Sequence, residues 1–276
     1  MYKISNMNLI YKRYPLKYFF ESTYRLDIKS IELWGGYPHI HIDNININSI
    51  KKIYKETNKR NLEVICFTPE QCDYPINISS KNRRVKEQSI KYLKKSIRIS
   101  KELNCKKVLI SSGFGYYNDS FRENWKRCKE SIHRLVKFAE KENMILIIEP
   151  FYFPYSNIVI NKDTTKKILN EINSKNLKMM VDIPCMVMSE ETLDEYFDLF
   201  KEKLKHIHFV DGNYESSAHL VWGDGVYNIN KLKKNLDRYN YKGYLSLELN
   251  DVKYYSAPEK AVKNSLTYLR NHQLYE

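Results

Sequence analysis

A rhythm constrains this chain more than any single residue. Eight short apolar or β-branched runs recur along 276 residues, and each precedes a stretch whose apolar residues repeat at spacings of three and four. The runs fall at 2–7, 30–34, 62–67, 107–111, 144–149, 178–182, 206–210 and 244–249. The fifth, ending Ile147-Ile148-Glu149, is apolar on both faces, as a parallel strand covered by helices must be. The clearest helical pattern is Phe121, Trp125, Cys128, Ile132, Leu135, Val136 and Ala139. Another runs through Leu193, Tyr196, Phe197, Phe200 and Leu204, with an N-cap expected at Ser189. Further helices are expected at 15–26, 46–60, 84–103, 163–174, 229–239 and 257–271. No shift in composition marks a boundary. Eight βα units in this length predict an α/β chain folded as one (β/α)8 barrel domain over residues 1–276. A doubly wound sheet would carry a Gly-rich first turn, and residues 6–13 hold no Gly. There is no phosphate-binding GxxxxGK[ST] stretch, and the lone Gly113-Phe114-Gly115 carries no weight.

With 46 Lys and Arg against 33 Asp and Glu, the formal net charge is +13. The lysines are spread over many amphipathic stretches, as in Lys94-Lys95, Lys166-Lys167 and Lys233-Lys234, so solvated outer helix faces are expected rather than a nucleic-acid site. No apolar run approaches the ~20 residues of a membrane helix, and the N-terminus lacks a signal-peptide core. The five cysteines are scattered and include no CxxC pair, which suggests a reducing cytoplasm and no disulfide frame.

In a barrel, chemistry belongs at the C-terminal strand ends. At or near the ends of the last four runs stand Glu149, Asp182, His208 and Glu248, each about one βα unit from the next. A carboxylate closing an apolar strand is costly to bury unless paired or metal-bound. We expect these four to hold one divalent ion, Mn²⁺, Co²⁺ or Mg²⁺ by the oxygen-rich donor set; a structural hydrogen-bond cluster is the alternative. Glu149 and Glu248 stand on the outer strands of the four. They are expected to face each other across a substrate, as two-base proton transfer requires, with the metal stabilising an enediolate. His206 points inward one layer deeper and reads as a core or floor residue. Asp211 either orients His208 or caps its loop.

The pieces Ile31-Glu32-Leu33-Trp34-Gly35-Gly36-Tyr37-Pro38-His39, Ile148-Glu149-Pro150, Met180-Val181-Asp182-Ile183-Pro184-Cys185 and His206-Ile207-His208-Phe209-Val210-Asp211 resemble the xylose isomerase-like TIM-barrel family of sugar isomerases and epimerases. The stretch from Phe67 to Asn77, with Ser217-Ala218-His219 and Gly223-Asp224-Gly225, is similar to its fructoselysine 3-epimerase branch. The resemblance spans essentially the whole chain. It implies a metal-dependent epimerase that inverts C3 of a ketose, with Glu149, Asp182, His208 and Glu248 as ligands and the two glutamates as acid and base. It places His219 where D-tagatose enzymes have a sugar-contacting Arg, and Cys185 where they have a His. Tyr155, before Ser156-Asn157, stands where relatives often carry a Glu, so the substrate is less constrained than the reaction. The resemblance also implies a small sugar substrate and an assembly of two or four copies.

Trp34, Phe151, Tyr152 and Trp222 are expected to stack on sugar or simply to pack. His39 is expected as a substrate contact or an exposed loop residue. Glu32 either bonds a catalytic neighbour or lies in a polar upper layer. Glu70 and Asp73 either meet the cationic end of a lysine-linked sugar or belong to surface loop chemistry. An aldose–ketose isomerase would use the same metal and bases. An endonuclease IV-like nuclease would need more His and carboxylate ligands than the mouth supplies. A metal-free binding barrel is the remaining alternative.

Overall fold

The computed structural model describes residues 1–276. Eight parallel strands close into a barrel in sequence order: β1 (Lys3–Met7), β2 (Ser30–Gly35), β3 (Glu63–Pro69), β4 (Lys107–Ser111), β5 (Ile145–Glu149), β6 (Leu177–Asp182), β7 (Leu204–His208) and β8 (Tyr244–Leu247). The ring closes through β1 and β8, where Ser5 lies opposite Ser246. Around it run α1 (Leu16–Arg25), α2 (Ile47–Asn58), α3 (Arg83–Glu102), α4 (Phe121–Glu142), α5 (Lys162–Ile172), α6 (Ile183–Met188), α7 (Leu193–Phe200), α8 (Ile229–Arg238) and α9 (Pro258–Asn271). No helix is long and apolar enough to cross a membrane, and all five cysteines are unpaired.

The outward strand faces pack on the apolar helix stripes. On α4 the buried residues are those its periodicity selects, Trp125, Cys128, Ile132, Leu135, Val136 and Ala139 among them. The inward faces split by height. Ile65, Cys66, Leu109, Ile147 and Met180 gather into a small separate apolar cluster. Above that cluster the layer turns polar.

Three expectations change, and the first is that Leu204, read as part of the helix through Leu193, instead opens β7. The helix through Leu193 starts after Thr192, whose backbone N–H and hydroxyl both donate to Glu195 Oε2, at 2.8 and 3.0 Å. Ser189 instead ends α6, a short helix that no periodicity announces. Pro184 sits in the first turn of α6, where its missing N–H costs nothing.

Every helix-to-strand turn passes through left-handed backbone, at Asp27, Asn61, Asn104, Asn143, Asn173, Lys201 and Asn240. Asn and Asp tolerate this region because their short side chains bond locally. With only 8 Gly in the chain, asparagine performs most of these turns. Lys201, at φ 47° and ψ −122°, has no such help. Lys201→Gly is therefore expected to raise stability by about 1 kcal/mol, read as a higher urea midpoint at unchanged slope; a lower midpoint would overturn the assignment of strain.

Candidate active site

Strand alternation sends Glu149, Asp182, His206 and His208 inward, and Glu248 follows directly on β8. One ligand atom from each of Glu149, Asp182, His208 and Glu248 lies within 4.8 Å of all the others. His208 Nδ1 is the hub, 2.6 Å from Glu248 Oε2, 3.5 Å from Asp182 Oδ2 and 3.7 Å from Glu149 Oε1. None of these oxygens lies where the ring would direct an N–H, so this buried nitrogen has no hydrogen-bond partner. The three carboxylates have no Lys or Arg partner; their only cationic neighbours are His208 and His219. An unpartnered imidazole nitrogen facing three carboxylate groups fits a divalent cation better than it fits a self-sufficient hydrogen-bond cluster.

Below the hub, Glu32 is fully buried and bridges the two imidazoles. Its Oε2 lies 2.7 Å from His206 Nε2 and its Oε1 lies 3.1 Å from His208 Nε2. Thr68 donates its hydroxyl to the same carboxylate. This fixes His208 with Nδ1 turned to the carboxylates, the orientation that a carboxylate–histidine pair gives a metal ligand. Of the two readings of Glu32, the bond to a site neighbour is the one the structure contains. Asp211 caps its loop: it accepts the backbone N–H groups of Gly212, Gly223, Gly225 and Tyr227.

The ionisation directions follow from this packing. Burial raises Glu149 well above the usual carboxylate range, and the nearby Glu248 and Asp182 add to the rise against the opposing pull of His208. Burial also opposes charge on Asp182, but His219 and His208 outweigh it and hold the carboxyl well below its usual range. The Asp182 side chain caps α6 as well, accepting Cys185 N–H at 2.7 Å. Burial disfavours the His208 imidazolium, yet Glu248, Glu32 and Asp182 together raise its pKa. His219 behaves likewise through Asp182, which its Nε2 approaches to 2.9 Å. Burial keeps the Cys185 thiol protonated.

A cavity of about 430 Å³ opens above the cluster. Of the residues singled out from sequence, Glu149, Glu248, His219, Cys185, Tyr155, Trp34, Phe151, Glu70 and Asp73 line it. His39 does not. It accepts from Asn8 Nδ2 at Nδ1 (2.9 Å) and donates from Nε2 to the Tyr14 carbonyl (2.8 Å), so both nitrogens are used within the fold. Trp222 is buried and donates to the Phe209 carbonyl, a packing role. Ser156 and Asn157 bind the β4 loop at Gly113 and Gly115, holding one wall in place. Lys12 and Asn250 also face the cavity. Sequence reading passed over both. Lys12 follows β1, and its position at a strand end was the available signal.

Residues 20–272 match the family described as xylose isomerase-like TIM barrel. Fructoselysine 3-epimerase of Shigella flexneri is 30% identical over 260 residues, 94% of each chain. The protein of the same name in Escherichia coli O157:H7 is 29% identical over the same coverage. A solved structure of L-ribulose 3-epimerase superposes with a TM-score of 0.83 at 16% identity, covering 98% of this chain and 94% of that one.

The raised groups set a pH dependence for the metal-free protein. A raised folded-state pKa contributes stability that is present below the unfolded value and lost as pH climbs through the folded one. His208 and His219, with an ordinary value of 6.5, and Glu149, at 4.5, all have this sign. His206 and His39 are lowered, with burial the main cause, and are neutral in both states above about pH 7. In chelator, the thermal midpoint should fall from about pH 7 to about pH 8.5. Added Mn²⁺ should raise it most at the upper end, because ligands bind metal deprotonated. A flat calorimetric profile would contradict the electrostatic account.

Proposed function

Because the chain belongs to the xylose isomerase-like TIM barrel family and is an isomerase of its sugar-epimerase kind, we propose that it inverts C3 of a ketose of the fructoselysine–psicoselysine type. The observation that carries this reading is the convergence of Glu149 and Glu248, from strands on either side of Asp182 and His208, on one point beneath the cavity. One carboxylate takes the C3 proton as the C–H bond breaks, and the electron pair moves toward the C2 carbonyl to give an enediolate. The other, carrying a proton, delivers it to the opposite face of C3. The burial that raises Glu149 favours its protonated form, the form that can deliver a proton. The reaction runs both ways, so each glutamate serves in both roles, and proton exchange with solvent resets them.

A divalent cation held by Glu149, Asp182, His208 and Glu248 would supply Lewis-acid stabilisation of the negative charge developing on the substrate oxygens. Each carboxylate has two oxygens, so a glutamate that held the ion through one would still have the other for proton transfer. His219 and Cys185 stand beside Asp182 and can donate to sugar hydroxyls, as can the Tyr155 phenol. Trp34 and Phe151 offer apolar faces to the ring. The substrate type follows the fructoselysine 3-epimerase relatives. Mn²⁺ as the resident ion, a cytoplasmic location suited to five free thiols, and an assembly of two or four copies are parts of the same proposal.

Incubation with fructoselysine and Mn²⁺ in deuterated water should place deuterium at C3. Label at C1 alone would replace the epimerase with an aldose–ketose isomerase. Glu149→Gln should lower exchange by roughly 10²–10⁴-fold with the circular-dichroism melt retained; near-full activity would refute its role. Glu32→Gln should weaken Mn²⁺ binding by roughly 10–100-fold in calorimetry, because His208 loses the anion that orients it; unchanged affinity would count against that support.

A further inference from the structure

A second cavity, of about 610 Å³, adjoins the catalytic one, and the two share Lys12, Trp34, Glu70 and Asp73. It is formed by the turns after β1, β2 and β3, the side of the mouth that carries none of the four ligands. The shared residues divide by chemistry. Trp34 is buried and donates its indole N–H to Glu70 at 2.8 Å. Glu70 also accepts the backbone N–H groups of Cys72 and Asp73, so its carboxylate is spent on holding the loop. Lys12 and Asp73 are different, because neither pairs with an opposite charge in the folded chain. The Lys12 ammonium lies 4.9 Å from the centre of the Tyr255 ring, its one cationic contact. Asp73 is exposed at the rim. Arg13, Tyr37 and Tyr74 complete the walls used here, with Tyr74 accepting the Tyr37 backbone N–H at 2.7 Å.

A free ketose is uncharged and would leave both ions without a partner. A ketose joined through an amine at C1 to a lysine side chain ends in a carboxylate and an ammonium on one carbon. We infer that the second cavity is a subsite for the α-amino-acid end of such a sugar–amine conjugate, with Lys12 receiving the carboxylate and Asp73 the ammonium. This rests on the ketose 3-epimerase reading and extends it to what the ketose carries. Aromatic walls suit the aliphatic stem between the two ends, and charge-assisted bonds fix its terminus.

Deuterium entry at C3 tests this with four substrates: fructoselysine, its decarboxylated analogue fructosyl-cadaverine, α-N-acetyl fructoselysine and D-fructose. Wild type should favour fructoselysine over the decarboxylated analogue by about tenfold or more in kcat/KM, chiefly through KM, as a lost charge-assisted bond predicts. Lys12→Met should erase that ratio, and Asp73→Asn the ratio against the N-acetyl compound. A ratio taken within one variant cancels any loss of folded protein. No preference in wild type, or ratios that survive the substitutions, would overturn the subsite, while continued exchange on D-fructose would leave the epimerase reading standing. No C3 exchange on any of the four would overturn both.

Discussion

One imidazole carries the electrostatic load of this barrel. His208 lies between Glu32 below and Glu149, Asp182 and Glu248 above, and no lysine or arginine pairs with any of the four. In so buried a place, carboxylates without cations are expensive. The fold meets that cost by packing the acids around shared histidines, and a bound divalent ion would remove much of what remains. The raised Glu149 and His208 and the depressed Asp182 are consequences of the same crowding. The reactivity assigned to the site comes from this arrangement, not from any one residue's intrinsic chemistry.

Rigid walls keep the arrangement open to a substrate. Asp211 gathers four backbone N–H groups of the β7 loop, and at Gly225 a Cβ would come within 2.5 Å of its carboxylate. Ser156 and Asn157 tie the β5 loop to the β4 loop by side-chain bonds. Asp211, Ser156 and Asn157 are thus spent on backbone groups that would otherwise be unsatisfied over the cavity.

The barrel was legible because each strand ends within two residues of the end of its apolar run, and the longer helices each show a single apolar stripe. The four candidate ligands were legible for the same reason: an acid or imidazole closing an apolar strand has few structural explanations. What was hidden depends on contacts across the ring. Glu32 meets His206 over 174 residues of sequence, and nothing local says so. The start of α7 lies at Thr192 rather than Ser189 because a short extra helix, α6, with Pro184 in its first turn, ends at Ser189. The bonds that hold His39 come from Asn8 and Tyr14 in the preceding βα turn, and nothing local to His39 announces them.

The mouth is divided. β5, β6, β7 and the residue after β8 carry the four-ligand cluster, while the turns after β1, β2 and β3 carry the unpaired charges and the second cavity. Glu32, reaching under the floor from β2, is the one residue that ties the two halves together at the hub. Such a layout separates evolvability from competence. On the proposed reading, mutations in the early turns would retune which appendage a sugar bears while the late half went on moving protons, so new specificities would be open to this scaffold without passing through inactive intermediates.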